Sequence, residues 1–139
     1  QQGEEVQLTG LHGDEGHNDS PDYSADGVWI WLNSDRSGQA QIWRMRRDGS
    51  DVQRMVTSDT VDWFPHPSPD GRHVLYLAYP NGTLYHPRDL NVELRIMPQD
   101  GGKSEPLLQL FGGQGSINVP CWGPDGRFVA FVRYAPSVH

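Results

Sequence analysis

The chain of 139 residues has a single cysteine, Cys121, so it forms no internal disulfide and holds no thiolate metal cluster. Helix-length periodicity is missing: no run of ten or more residues escapes a Gly, Pro, Asn or Asp break. No apolar run approaches the roughly 20 residues that cross a bilayer as a helix, and the expectation is a chain with no membrane span and no signal peptide. Basic charge is in deficit. Eleven Lys and Arg against 18 Asp and Glu leave a formal net charge of −7, which argues against a phosphate-backbone partner, and no nucleic acid is expected. The short basic run of Arg44, Arg46 and Arg47 reads as a solvated strand face. There is no Gly-x-Ser-x-Gly elbow and no evident Ser/His/Asp order, which disfavours a hydrolase. No His-x-x-x-His pair marks a metal site.

What the chain does have is turns. It contains 16 Gly and 11 Pro, spread along its length. One turn is written three times, as Ser24-Ala25-Asp26-Gly27, Ser68-Pro69-Asp70-Gly71 and Gly123-Pro124-Asp125-Gly126. Each copy follows a segment with a proline and an aromatic ring, and each precedes an alternating apolar run such as Val28 to Leu32, His73 to Leu77 or Phe128 to Val132. Proline or a small residue presets the second turn position, Asp bonds its own backbone, and Gly takes the positive φ. Such a turn between two strand-like runs predicts a β-hairpin, and three copies predict a propeller or solenoid.

Taken in order, residues 1–9 read as the last strand of a preceding blade. Residues 18–57 read as a full blade with strands at 20–23, 28–33, 41–45 and 52–57. Residues 62–110 read as a second blade, and 118–134 as the start of a third. The first two Asp-Gly turns are 44 residues apart, within the 40 to 50 of a four-stranded blade. The next spacing is 55, so the second blade carries insertions, one at 79–90 and one at 111–117. The first insertion holds His86-Pro87-Arg88-Asp89 and reads as a surface excursion, with a cover over the channel mouth as the other reading. The second, Phe111-Gly112-Gly113-Gln114-Gly115, lacks the Gly-Lys-Ser/Thr ending of a phosphate loop, and its glycines read as a crossing between blades.

The fold class is therefore all-β: a β-propeller of four-stranded antiparallel blades, about three per chain, half of a six-bladed ring. Three blades do not close a ring, and open strand edges are avoided. Either the chain is half of a longer one, or two copies close the ring as a homodimer.

The order of elements resembles the repeat of TolB-like propellers with WD40-like (PD40) blades. It runs Pro21 to Gly27, Trp29 to Leu32, Ser34-Asp35-Arg36-Ser37-Gly38, Gln41 to Met45, Asp48-Gly49 and Met55 to Thr57. In particular it resembles the C-terminal half of a six-bladed member, ending in Phe131-Val132-Arg133-Tyr134. Ala25 and Gly123 depart from that pattern. The resemblance implies a non-catalytic scaffold, periplasmic or secreted, that binds a protein or peptide at the ring's top face or channel.

Alignment of the three turns stacks Asp22, His66 and Cys121 at one level of the inner strands, with Asp19, Trp63 and Asn118 three residues earlier at the upper rim. Asp19, Asp22, Trp63, His66, Gln114 and Asn118 are the expected channel or top-face residues; Asp14 and Asp62 share their polar setting. His17, His66 and Gln114 are the candidate ligands for a divalent cation, Ca or Mn. Such a set resembles the metal site of oligogalacturonate lyases, which makes a metal-dependent carbohydrate-active enzyme the alternative. A gating propeller detached from a peptidase domain is a third reading. The tryptophans read as packing between blades rather than as sugar platforms.

Overall fold

The structure is a computed structural model that describes residues 3–10 and 16–137. Residues 11–15, with Asp14 among them, lie outside the described residues, as do Gln1 and Gln2 at the start of the expected first strand. Strand β1 (Asn18–Tyr23), β2 (Trp29–Ser34), β3 (Gln41–Arg46) and β4 (Gln53–Arg54) form one antiparallel meander. A second meander follows, of β5 (Val61–Pro67), β6 (His73–Tyr79), β7 (Leu90–Pro98) and β8 (Glu105–Gly112). Two four-stranded antiparallel sheets in sequence order make the chain all-β, with the architecture of half a propeller. A short 3₁₀ turn, Gln114–Ser116, follows β8.

The repeated turn closes through its side chains. The Ser24 hydroxyl donates to Asp26 Oδ1 at 2.6 Å and accepts from the Trp29 amide at 2.9 Å, while the Val28 amide donates to Asp26 Oδ1 at 3.0 Å. Ser68 and Asp70 repeat this set on the Arg72 and His73 amides. These bonds to the charged form hold the Asp26 and Asp70 carboxyls below the usual range. Gly123 has no hydroxyl, so the third turn keeps only the Asp125 bond to the Arg127 amide and the backbone closure.

Both inner strands carry a bulge at the same place in the repeat, between Asp19 and Asp22 in β1 and between Trp63 and His66 in β5. Ser20 and Phe64 take positive φ there, at 54° and 59°. A ring at positive φ is strained, and the Asn33 side chain supports it by accepting the Phe64 amide at 3.3 Å.

Trp31, Ile42, Val56, Val74, Tyr76, Ala78 and Met97 form the buried seam between the sheets. Arg44 spans that seam and is no solvated strand face. Its guanidinium lies 4.0 Å from the Trp29 ring centre and 5.6 Å from that of Trp31, and Nη1 donates to the Gln99 carbonyl, in the turn between β7 and β8, at 2.8 Å. The fourth strand of the first sheet spans two residues, where six are expected, because the Met55 and Val56 amides both turn to the Ile42 carbonyl and Val56 drops into the seam.

Residues 3–8 form no strand; Leu8, like Trp43, packs against the cluster of Ile30, Leu32 and Met45 on the first sheet. The third repeat forms a hairpin with one bridge, Trp122 to Val129. The Trp122 indole ties it to β5, donating to the His66 carbonyl at 2.7 Å. Phe128 and Val132 remain exposed on it.

Candidate functional site

Strands β1 and β5 lie beside each other, and their ends frame two pockets. At the end bearing the Asp-Gly turns, Asp22, His66, Cys121 and Trp122 line a pocket of about 390 Å³ with Tyr23 and the prolines around them. This is the level at which turn alignment places Asp22, His66 and Cys121. His66 is buried and faces acceptors on both sides: Asp22 Oδ2 lies 3.1 Å from Nδ1, and the Ile117 carbonyl lies against Nε2. Burial, aided by the Asp22 carboxylate, pushes the Cys121 thiol up to about 12. A buried thiol held protonated in this way is a poor nucleophile at neutral pH.

The second pocket, about 510 Å³, opens at the opposite rim, where the inner strands begin. Its floor is Ala40, Val61 and Trp63; Asn18, Asp19 and Asp35 come from the first sheet. Leu84, Tyr85 and His86 of the loop between β6 and β7 close one side. The His86 ring meets Trp63 edge-on with centres 4.5 Å apart and lies 5.4 Å from Phe64, and its Nε2 is 4.0 Å from Asp19 Oδ2. The loop is thus anchored through His86 as a wall of the pocket, while most of its residues stay exposed as its sequence suggests. Its tip stays open to solvent, with Leu84 79% and Tyr85 74% exposed.

The structure separates the three candidate metal ligands. His17 lines the rim pocket, His66 lines the pocket at the other end, and Gln114 is exposed on the 3₁₀ turn and lines neither. His66 has both nitrogens engaged. Among the described residues no three His, Cys, Asp or Glu side chains gather as a metal group. These residues do not fit a divalent-cation centre. Asp19 and Trp63 meet at the rim pocket, whereas Asn118 is exposed outside its lining. Asp62 is fully buried under the hydroxyls of Ser58 and Thr60, which donate to it at 2.8 and 2.7 Å.

Sequence reasoning missed His86, Leu84, Tyr85 and Asp35 as pocket residues. The usable signal was loop length: the loop at 80–89 has ten residues where its counterpart Asp35 to Ala40 has six. No helix among the described residues is long and apolar enough to cross a membrane.

This arrangement, four-stranded antiparallel meanders whose inner strands pack side by side and whose chain passes from the outer strand of one to the inner strand of the next, is that of half a β-propeller. No protein-family model matches the chain. The particular propellers it is similar to are of the TolB kind. A solved structure from Agrobacterium tumefaciens, provisionally assigned as TolB, superposes with a TM-score of 0.89 at 55% identity, covering 94% of this chain and 46% of that one. An uncharacterised protein of Agrobacterium fabrum (strain C58) is 55% identical over 134 residues, 96% of this chain and 45% of its own length. TolB from Acinetobacter baumannii superposes with a TM-score of 0.63 at 22% identity, over 84% of this chain and 27% of its own, and shows the fold alone. The chain spans less than half the length of each of these relatives.

Proposed function

We propose that the chain is a piece of a non-catalytic TolB-like binding scaffold, periplasmic or secreted, that engages a protein or peptide at the rim where its inner strands begin. The rim pocket carries this reading. It joins a buried aromatic floor to a loop tip whose Leu84 and Tyr85 are held out in solvent, and exposed apolar groups beside a formed pocket mark an interaction site. The fold by itself does not decide function, so the site bears the argument. The opposite pocket is less suited to a partner, because His66 is buried and spent on Asp22 and Ile117.

The test is a photo-crosslinking residue placed at Tyr85 in one sample and at Ala25, beside the Asp-Gly turn, in another. Adducts to a distinct protein or peptide from position 85, absent from position 25, support the rim as the binding face. Equal labelling from both positions, or labelling from position 25 alone, overturns it.

A further inference from the structure

The rim pocket has a charge pattern that selects among partners. Two carboxylates, Asp19 and Asp35, line it, and its described lining contains no Lys or Arg. The arginines nearest in sequence already have partners and do not line the pocket, although Arg36 bonds Asn18, which does. Arg36 donates to Asn18 Oδ1 at 2.7 Å and to Ser34 Oγ at 3.0 Å, and lies over Trp43. Arg88 pairs with Asp89 at 2.9 Å and lies over Tyr134.

The carboxylates retain capacity. Asp19 spends one oxygen on the Ser20 amide; the other has His86 at 4.0 Å, longer than a hydrogen bond, and the side chain is 54% exposed. Asp35 accepts the His17 amide on Oδ1. Beneath them, Ala40, Val61 and Trp63 offer an apolar floor for an aliphatic stem, and the exposed Tyr85 offers an aromatic face to a cation. A long apolar stem ending in a positive head is the side chain that uses all three features.

We infer that the rim pocket receives a basic side chain, arginine or lysine, from an extended segment of the partner. This inference rests on the reading of the rim as the partner-binding face and adds the chemistry of what enters it.

The test uses the 139-residue chain at pH 8 with four capped peptides, Ac-Gly-X-Gly-NH2 with X as Arg, Lys, Leu or Glu. The Trp63 indole, Leu84 methyl and Tyr85 ring signals are followed by NMR. The Arg or Lys peptide is expected to move these signals and to bind at least about fivefold tighter than the Leu and Glu peptides, weakening as salt is raised. Asp19→Asn is expected to weaken the basic peptide about fivefold while leaving the melting temperature unchanged. Equal or tighter binding of the Leu or Glu peptide, or basic-peptide shifts confined to signals outside the pocket, overturns the inference. So does the absence of any shift with all four peptides. In each case the crosslinking contrast between positions 85 and 25 judges the rim reading separately. Crosslinks from position 85 combined with failure here mean that the rim binds a partner through other chemistry.

Discussion

Asp62 has no exposed surface, and burial pushes its carboxyl up from an ordinary value of 3.8 to about 6, against the Thr60 and Ser58 hydroxyls that favour the charged form. A carboxyl whose pKa rises on folding binds its proton more tightly in the folded chain. Its contribution to stability is complete below about pH 4 and is lost as pH climbs through about 6. The shift of about two units corresponds to a loss on the order of 3 kcal/mol between pH 4 and 7. Asp26, Asp48, Asp70 and Glu93 are shifted the other way, so the native profile mixes both signs. Comparison with Asp62→Asn isolates the one residue: in denaturant titrations, native stability relative to this variant should fall as pH rises from 4 to 7. A constant difference would show that Asp62 ionises freely.

Arg44 acts at the same scale but across two sheets. Replacing it with Met keeps an unbranched apolar stem but removes the bonds to the Gln99 carbonyl and Gln53 Oε1 and the stacking on Trp29 and Trp31. A loss of about 1–2 kcal/mol is expected in equilibrium unfolding. Arg44→Lys should recover less than half of it, because an ammonium does not lie flat on an indole. Full recovery by Lys would mean that charge alone, without ring contact, holds the seam.

At the scale of elements, the crossing after β8 and the loop after β6 are built against each other. Gly113 has φ of 151°, and a Cβ there would lie 2.3 Å from the Pro87 carbonyl oxygen and 2.6 Å from Arg88 Cα. Both are backbone atoms and neither can swing aside. The same carbonyl accepts the Tyr79 hydroxyl at 3.1 Å, which pins the loop to the end of β6. Gly113→Ala should therefore displace the loop and lower stability by more than about 2 kcal/mol. At Gly27, where φ is also positive but no atom lies within 4 Å, the same change should lower stability by only about 1 kcal/mol. Thermal unfolding of the two variants gives the comparison, and equal losses would show that the loop does not depend on the crossing.

For the whole molecule, the exposed face of the third-repeat hairpin is the open issue. Phe128 is 69% exposed and Val132 53%, on a hairpin with one bridge. Apolar residues displayed on a partly paired hairpin favour association. In relatives at least twice as long, further chain is available to cover such a face. For the chain by itself, light scattering with size exclusion is expected to give twice 15.6 kDa, as two halves closing one ring. A species of 15.6 kDa with a cooperative unfolding transition would show that the open face is tolerated in solution.

Much of the architecture was legible in local chemistry. The Asp-Gly turns act within six residues, so their number and spacing announce hairpins, blades and their period before any packing is known. The strands β2 and β6 followed from the same logic, although both are buried along their length and not on alternate residues; so did the shared level of Asp22, His66 and Cys121, because equal offsets from equal turns reach equal heights on neighbouring strands. The double turn of the Met55 and Val56 amides toward Ile42, which shortens β4, was not legible, since it depends on where Val56 is buried. Nor was the role of Arg44, whose partners Trp29 and Gln99 lie in β2 and in the turn after β7. The rim pocket was half legible: Asp19 and Trp63 sit on repeated strands, whereas His86 belongs to an insertion with no counterpart to align. The sequence by itself determined the blades, their turns and their order, because those rest on interactions between near neighbours along the chain. Only the tertiary structure decided that His17 and His66 stand at opposite ends and that the insertion walls a pocket, because these depend on how two sheets and a loop pack in space.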